Sequence, residues 1–354
     1  VNHRKINFKL ICVKYIIFSE KIMQNRSGNI DFIKAVAIIF VIGIHSTASA
    51  LYDYTFASRS WGIAVFYRSI VAPAVPLFFM CSGALLFNKS KVIKIEDIFK
   101  KYIVRMITAL FFWASVYESM YIIYRRVQTG VFELEAIKNA IKNIIYFNHN
   151  YQLYYIYIML LFYIFTPIVK IFINNAKQSE IKYFLTVWAA LGIVLPTFIG
   201  LDTQGKFNNL TQYIAMHLGY ASIGYGVLGY YINTNIKNAK HYFIALFIGF
   251  IISFGATYLL CLLKNDINIV FWGGMSIGVM LMAYGFFGFV VSTGFRIYSS
   301  KIVENISKAS FCIFLVHDIF LKIMFYKNIN IVNYPDIINV PVFILIVFIP
   351  SYII

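Results

Sequence analysis

The chain has few charged side chains and no long polar segment. Lys, Arg, Asp and Glu supply 13% of its 354 residues, about half of the quarter that is usual in soluble globular proteins. The longest stretch between apolar runs covers about 26 residues, from 125 to 150, which is too short for a soluble domain with its own core. These two scarcities exclude an ordinary water-soluble enzyme.

Cysteine and acidic residues are also scarce. The four cysteines (Cys12, Cys81, Cys261 and Cys312) match no metal-binding or redox spacing, so the sequence predicts no metal site and favours buried thiols. Fourteen acidic residues face 31 basic ones, which gives a net charge of +17. In a soluble protein this excess would suggest nucleic acid, but in a chain this apolar it is typical of cytoplasmic loops, and no nucleic-acid partner is expected.

Apolar and aromatic residues dominate instead. Apolar residues make up 60% and aromatic residues 19% of the chain, with a mean hydropathy of +0.74. Apolar runs of about 17–25 residues have the length that a helix needs to cross a bilayer. The sequence therefore predicts an all-α polytopic membrane helix bundle with about ten transmembrane helices, a class that contacts membrane lipid. The expected spans lie near 30–50, 66–88, 103–124, 151–173, 181–200, 211–233, 241–263, 269–293, 308–327 and 337–354.

Basic residues indicate how these spans are oriented. With the N-terminus inside, inside segments hold 20 Lys and Arg and outside segments hold 10, so both termini are expected in the cytoplasm. Residues 1–25 are predicted to be a cytoplasmic extension, part of it upstream of a start at Met23, because the patterned sequence begins after that residue. Residues 26–354 are predicted to form one transmembrane domain. The sequence stops at Ile354 inside an apolar run, so the last helix is expected to be incomplete.

The first predicted helix carries a polar stripe. Lys34 and His45 are eleven residues apart, which places them on one helix face about 16 Å apart, and Asp31 falls on the same stripe. A charge inside a membrane costs about 2.5–3.5 kcal/mol or more, so it is usually paired or functional. Imidazole suits proton transfer near neutral pH, which favours a functional His45. The alternative for Asp31 and Lys34 is an ion pair at the cytoplasmic interface.

The second span and its basic flank add further candidates. Pro76 predicts a kink, and Ser82-Gly83 permits close approach of a neighbouring helix. Lys101 and Arg105 lie one helical turn apart in the basic run that follows. They have the charge to hold the phosphates of a polyanionic cofactor, although the positive-inside rule alone would also explain such a run.

Five segments in this order resemble the acyltransferase-3 family of integral membrane acyltransferases. They are Asp31 to His45, VPLFFMCSGALLF at 75–87, YQLYYIYIMLLFYIFTPIV at 151–169, Gly-Tyr-Tyr at 229–231, and the segment 306–317, which ends in Leu-Val-His. Lys34 stands where the family has Arg, and Gln152 and Tyr154 stand where many relatives have His and Trp. Cys312 replaces a common Gly, and Lys101 replaces the first Arg of an Arg-x-x-x-Arg arrangement. The resemblance is greatest to members without an added soluble domain, the type that O-acetylates enterobacterial common antigen.

The resemblance implies transfer of an acyl group, usually acetyl, from cytoplasmic acetyl-CoA to a sugar hydroxyl. The acceptor would be a surface glycan or its lipid-linked precursor. The protein would be located in the bacterial inner (cytoplasmic) membrane. His45 would be the general base within a catalytic set that includes Lys34 and Asp31. Lys101 and Arg105 would bind the CoA phosphates. Residues expected to contact substrate are Ser82, Glu118, Tyr154 and His317.

Two alternatives remain open from the residues alone. The alternative for Glu118 is acceptance of a hydrogen bond from a neighbouring tyrosine, Tyr117 or Tyr121, and the alternative for His317 is a structural role. The whole polar stripe of the first helix, with helix breaks at Pro76 and Pro167, also suits a multi-pass transporter or exporter of a glycan or small polar solute. The cation–histidine spacing and the order of the five segments favour the enzyme.

Overall fold

The computed structural model describes residues 28–131, 133–202, 205–294, 300–327, 329 and 336–354. The predicted N-terminal extension, residues 1–25 with the start at Met23, lies outside these residues. Across the described residues every regular segment is helical, which confirms the all-α class. The helices are α1 (Gly28–Asp53), α2 (Arg59–Val71), α3 (Ala74–Leu86), α4 (Ile95–Thr129), α5 (Leu134–Ile145), α6 (Tyr151–Asn175), α7 (Gln178–Leu201), α8 (Asn208–Tyr213), α9 (Leu218–Thr234), α10 (Ala239–Lys264), α11 (Ile277–Thr293), α12 (Lys301–Tyr326) and α13 (Asp336–Ile353).

Eight helical runs among the described residues are long and apolar enough to cross a membrane. They are α1, α2 with α3, α4, α6, α7, α10, α11 with the turn before it, and α12. The sixth and tenth predicted spans are helices too, α9 and α13, but shorter, with 17 and 18 residues. The chain is thus a multi-pass membrane protein, as its composition requires.

The helices form two compact units. One unit combines the chain up to Leu85 with residues 177–354, and the other is Leu86–Ala176. In the first unit, α1 packs against α2, α12 and α13, so its polar stripe lies among other helices. The second unit consists of α4, α5 and α6, with Lys170 of α6 donating to the carbonyls of Phe87 and Asn88 just beyond α3.

Glycines let α3 and α9 touch backbone to backbone within the first unit. A Cβ atom added to Gly83 would lie 1.9 Å from the carbonyl oxygen of Gly226, and one added to Gly229 would lie 2.1 Å from that of Met80. No side chain fits at either distance. The close approach expected at Ser82-Gly83 is therefore present, and the glycines of α9 serve helix packing.

The kink expected at Pro76 lies three residues earlier. The break between α2 and α3 falls at Ala72–Pro73, because Pro73 has no N–H to donate and its ring crowds the carbonyl one turn back. Pro76 sits in the first turn of α3, where a backbone donor is not needed. Pro167 lies inside α6, which continues to Asn175. The helix breaks that the exporter hypothesis placed at Pro76 and Pro167 are thus absent at both residues.

Candidate active site

The polar stripe of α1 meets α12 near the N-terminal ends of both helices. Asp31 is only 6% exposed, and the Ser307 hydroxyl donates a hydrogen bond of 2.6 Å to its Oδ1. The Ser310 hydroxyl in turn donates to the Ser307 carbonyl at 2.8 Å. A buried carboxylate needs such donors, because its desolvation is costly without them. Asp31 therefore also ties α1 to the start of α12.

Ser82 and Lys34 belong to this N-terminal level of α1. Cys81, next to Ser82 on α3, has its Sγ 3.9 Å from the carbonyl oxygen of Ile30. Lys34 is half-buried and lies three residues beyond Asp31. His45 lies fifteen residues beyond Ile30, which is about 22 Å along the helix. The structure therefore separates Ser82 from His45, although the sequence assigned both to one reaction.

His45 instead faces His317 of α12. The two ring centroids are 5.2 Å apart with an interplanar angle of 31°. His45 is half-buried, whereas His317 has no exposed surface. The sequence gave each histidine a separate interpretation, and the packing of α1 against α12 brings them together.

The tautomer of His317 follows from its hydrogen bond. Nδ1 lies 2.6 Å from the carbonyl oxygen of Phe314, and because a carbonyl can only accept, Nδ1 carries the hydrogen. In the neutral ring Nε2 is then an acceptor. That atom is buried and has no hydrogen-bond partner among the described residues. A buried acceptor without a hydrogen-bond partner can accept a hydrogen bond from a hydroxyl group.

Sequence reasoning missed Arg68 and Trp272, which lie in the same unit. The Arg68 guanidinium is 5.2 Å from the Trp272 ring centroid in a cation–π contact. The Trp272 Nε1 donates to the Ser69 hydroxyl at 2.8 Å. Both Arg68 and His317 lie within electrostatic range of His45. The available signal was an arginine inside the second predicted span, near 66–88.

The candidate phosphate-binding residues lie at the start of α4 in the second unit. Lys101 falls in a π-helical segment, Ile98–Ile103, and its Nζ is 2.6 Å from Asp97 Oδ1. Short π segments are frequent at functional sites. Arg105 is half-buried one turn further on. Six basic residues between 89 and 105 outnumber Glu96 and Asp97, so the segment remains strongly cationic.

The other predicted substrate contacts in the second unit lie near its α5–α6 connection. Glu118 accepts a hydrogen bond of 3.1 Å from the Asn143 side chain, whereas the sequence suggested a tyrosine as the donor. Tyr154 is 43% exposed in the first turn after the 3₁₀ segment of α6. Gln152 was noted only as a departure from the family pattern. It is fully buried, and neither polar atom of its amide has a hydrogen-bond partner among the described residues.

Among the described residues no group of three or more His, Cys, Asp and Glu side chains is placed to hold a metal ion. Cys81 and Cys261 are buried free thiols, and Cys312 is a half-buried one. The polar groups of the site are therefore histidine, carboxylate, hydroxyl and cationic side chains.

Comparison with known proteins gave one match. A family profile described as an acyltransferase domain matches residues 27–354. No curated protein and no solved structure matches the chain. The matched range contains α1 with Asp31, Lys34 and His45, the basic start of α4, and α12 with His317.

Proposed function

Because the chain belongs to the acyltransferase-3 family, we propose that it transfers an acetyl group from cytoplasmic acetyl-CoA to a sugar hydroxyl. The acceptor we propose is a bacterial surface glycan or its lipid-linked precursor. The protein itself would lie in the inner membrane. The observation that supports this chemistry best is the facing pair of His45 and His317, with ring centroids 5.2 Å apart. Imidazole is the commonest general base for activating a hydroxyl nucleophile.

In the proposed reaction His45 takes the proton of the attacking hydroxyl. The hydroxyl oxygen bonds to the thioester carbon, the carbonyl oxygen gains the negative charge, and collapse of this intermediate breaks the carbon–sulfur bond. The ester remains on the sugar, and CoA leaves as a thiolate that the imidazolium proton neutralises. His317 would accept a hydrogen bond from the sugar at its buried Nε2 and so orient the acceptor.

The proposed donor contacts are four charged side chains, Lys101, Arg105, Asp31 and Lys34. Lys101 and Arg105 would contact the CoA phosphates, since ionised donors make the stronger hydrogen bonds to phosphate. Asp31 and Lys34 would line the route of the pantetheine arm along α1. Because His45 lies about 22 Å from the N-terminal end of α1, the thioester end of the donor has to enter the helix bundle.

The test is transfer of label from radioactive acetyl-CoA to glycan in membranes that contain the full-length protein. We expect His45→Ala to lower the rate by about 100-fold or more, in line with the usual contribution of a general base. His241→Ala is the matched control, because His241 is exposed and contacts the Tyr284 hydroxyl at 2.9 Å. Equal labelling by wild type and His45→Ala would remove the proposed base, and no labelling by wild type would remove the proposed activity.

A further inference from the structure

Arg68 lies level with His45 in the first unit. A Cβ atom added to Gly43 would lie 2.8 Å from Cγ1 of Val71, so these residues are opposite one another on α1 and α2. The two helices are antiparallel and joined by the short connection 54–58. His45 lies two residues after Gly43 on α1. Because α2 runs the opposite way, the residues level with His45 lie before Val71, toward Arg68. The electrostatic interaction between Arg68 and His45 agrees with this register.

The guanidinium of Arg68 is held in a defined position. It stacks over Trp272 at 5.2 Å, and the indole is itself fixed because its Nε1 donates to Ser69 at 2.8 Å. Ser69 is fixed in turn by donation to the carbonyl of Val65 at 2.8 Å. Arg68 lies nine residues into its helix, about 14 Å from the start. A cation at that depth is costly, which indicates a use for it.

We propose that Arg68 stabilises the oxyanion of the acyl-transfer intermediate. This inference rests on the proposed function. As the hydroxyl oxygen attacks and its proton passes to His45, negative charge develops on the thioester carbonyl oxygen. A preorganised cation beside that oxygen stabilises the transition state, and it does so more strongly in a low-dielectric site than in water. When the carbon–sulfur bond breaks, the carbonyl re-forms and the charge leaves with the sulfur.

Three other polar side chains of the first unit, Ser82, Lys34 and Lys322, are less suited to this role. Ser82 is level with the N-terminal end of α1, and Lys34 is eleven residues, or about 16 Å, before His45. Lys322, five residues beyond His317, has its Nζ 3.6 Å from the Asp318 carboxylate. Arg68 combines a fixed guanidinium with a position at the level of the proposed base.

The experiment measures acetyl transfer from labelled acetyl-CoA in native membranes, with rates normalised to folded protein by a thermal-stability assay. For Arg68→Gln we expect the rate at saturating acetyl-CoA to fall by about 100-fold to 1,000-fold, the usual effect of losing an oxyanion donor. The KM for acetyl-CoA should stay within about threefold, because the interaction forms only in the transition state. Arg59→Gln is the matched control, since Arg59 is an exposed arginine of the same helix and should transfer at the wild-type rate.

Arg68→Lys keeps the test decisive if Arg68→Gln does not fold. Lysine retains the charge but lacks the planar fork that stacks on the indole, so we expect an intermediate rate, about tenfold below wild type. A wild-type rate in either folded variant would overturn the proposal, as would a loss confined to the KM for acetyl-CoA. If wild type transfers label and His45→Ala does not, a fully active Arg68→Gln enzyme refutes this inference alone. Absence of transfer by wild type refutes the proposed function itself.

Discussion

At the scale of single residues, the proposed chemistry depends on side chains that are unusual inside a membrane. Asp31 and His45 lie on α1 and Arg68 on α2, and each contacts a polar or aromatic partner from another segment of the chain. Ser307 donates to Asp31, His317 faces His45, and Trp272 stacks on Arg68. Such partners offset the cost of desolvation and hold each reactive group in place for a reaction.

Substitution of Lys34 tests the family assignment of α1. Lys34→Arg restores the family residue and keeps the charge, so we expect acetyl transfer to stay within about threefold of wild type. Lys34→Met removes the charge and should lower transfer by about tenfold or more, because intramembrane cations are usually functional. Both are measured by label transfer in membranes at equal expression. An inactive Lys34→Arg protein would mean that the correspondence between α1 and the family pattern is misplaced.

At the scale of helices, small residues decide how closely two elements pack. α3 and α9 approach so closely that Gly83 and Gly229 face backbone carbonyl oxygens of the other helix. Close backbone contact is a principal source of helix association in membranes, where the hydrophobic effect offers little between helices. Because α3 carries Ser82 and continues the chain from α2 with Arg68, this contact also supports the site.

Gly229→Ala should destabilise the protein although alanine is the better helix former. The new Cβ would lie 2.1 Å from the carbonyl oxygen of Met80, and moving backbone apart costs about 1–3 kcal/mol or more. We expect a lower melting temperature in detergent. The melting temperature is measured by tryptophan fluorescence or by the loss of soluble protein on heating.

Gly255→Ala is the matched control for this substitution. Gly255 also lies in a helical segment, but a Cβ atom there meets nothing within 4 Å. The melting temperature of the Gly255→Ala protein should therefore equal that of wild type or be slightly higher. Equal melting temperatures for Gly229→Ala and wild type would show that the α3–α9 contact is not as close as described.

At the scale of the whole molecule, the basic residues are expected to set the orientation. The segment from 89 to 105 is strongly cationic and should lie in the cytoplasm, whereas α5 should lie outside. This arrangement would give acetyl-CoA access from the cytoplasm and leave the far ends of α1 and α2 toward the outer side. The proposed reaction therefore depends on this sidedness.

Cysteine labelling tests the orientation directly. In a protein whose four native cysteines are replaced, Asn139→Cys on α5 should react with a membrane-impermeant maleimide in intact cells. Ser90→Cys should react only after the cells are opened, because its segment faces the cytoplasm. Both positions are exposed, so access to reagent and not burial decides the result. The opposite pattern would reverse the topology and with it the expected side of donor binding.

The sequence by itself determined the membrane class, the approximate spans and the polar stripe of α1. Hydropathy and helical periodicity are properties of neighbouring residues, so composition and spacing are enough to predict them. The five ordered segments also predicted the family, which the match over residues 27–354 confirms. The roles assigned to Asp31, Lys34, His45, Lys101 and Arg105 stay predictions.

Only the tertiary structure decided which polar groups meet. His45 and His317 are 272 positions apart in sequence, and Arg68 reaches Trp272 of a distant segment. Whether such residues touch depends on how the helices cross. Glycine contacts between helices and the break at Pro73 influence that crossing, and no local sequence pattern encodes it. The same packing places Ser82 near the N-terminal end of α1, away from His45. It brings Arg68 level with His45, because antiparallel helices align residues by their distance from the turn.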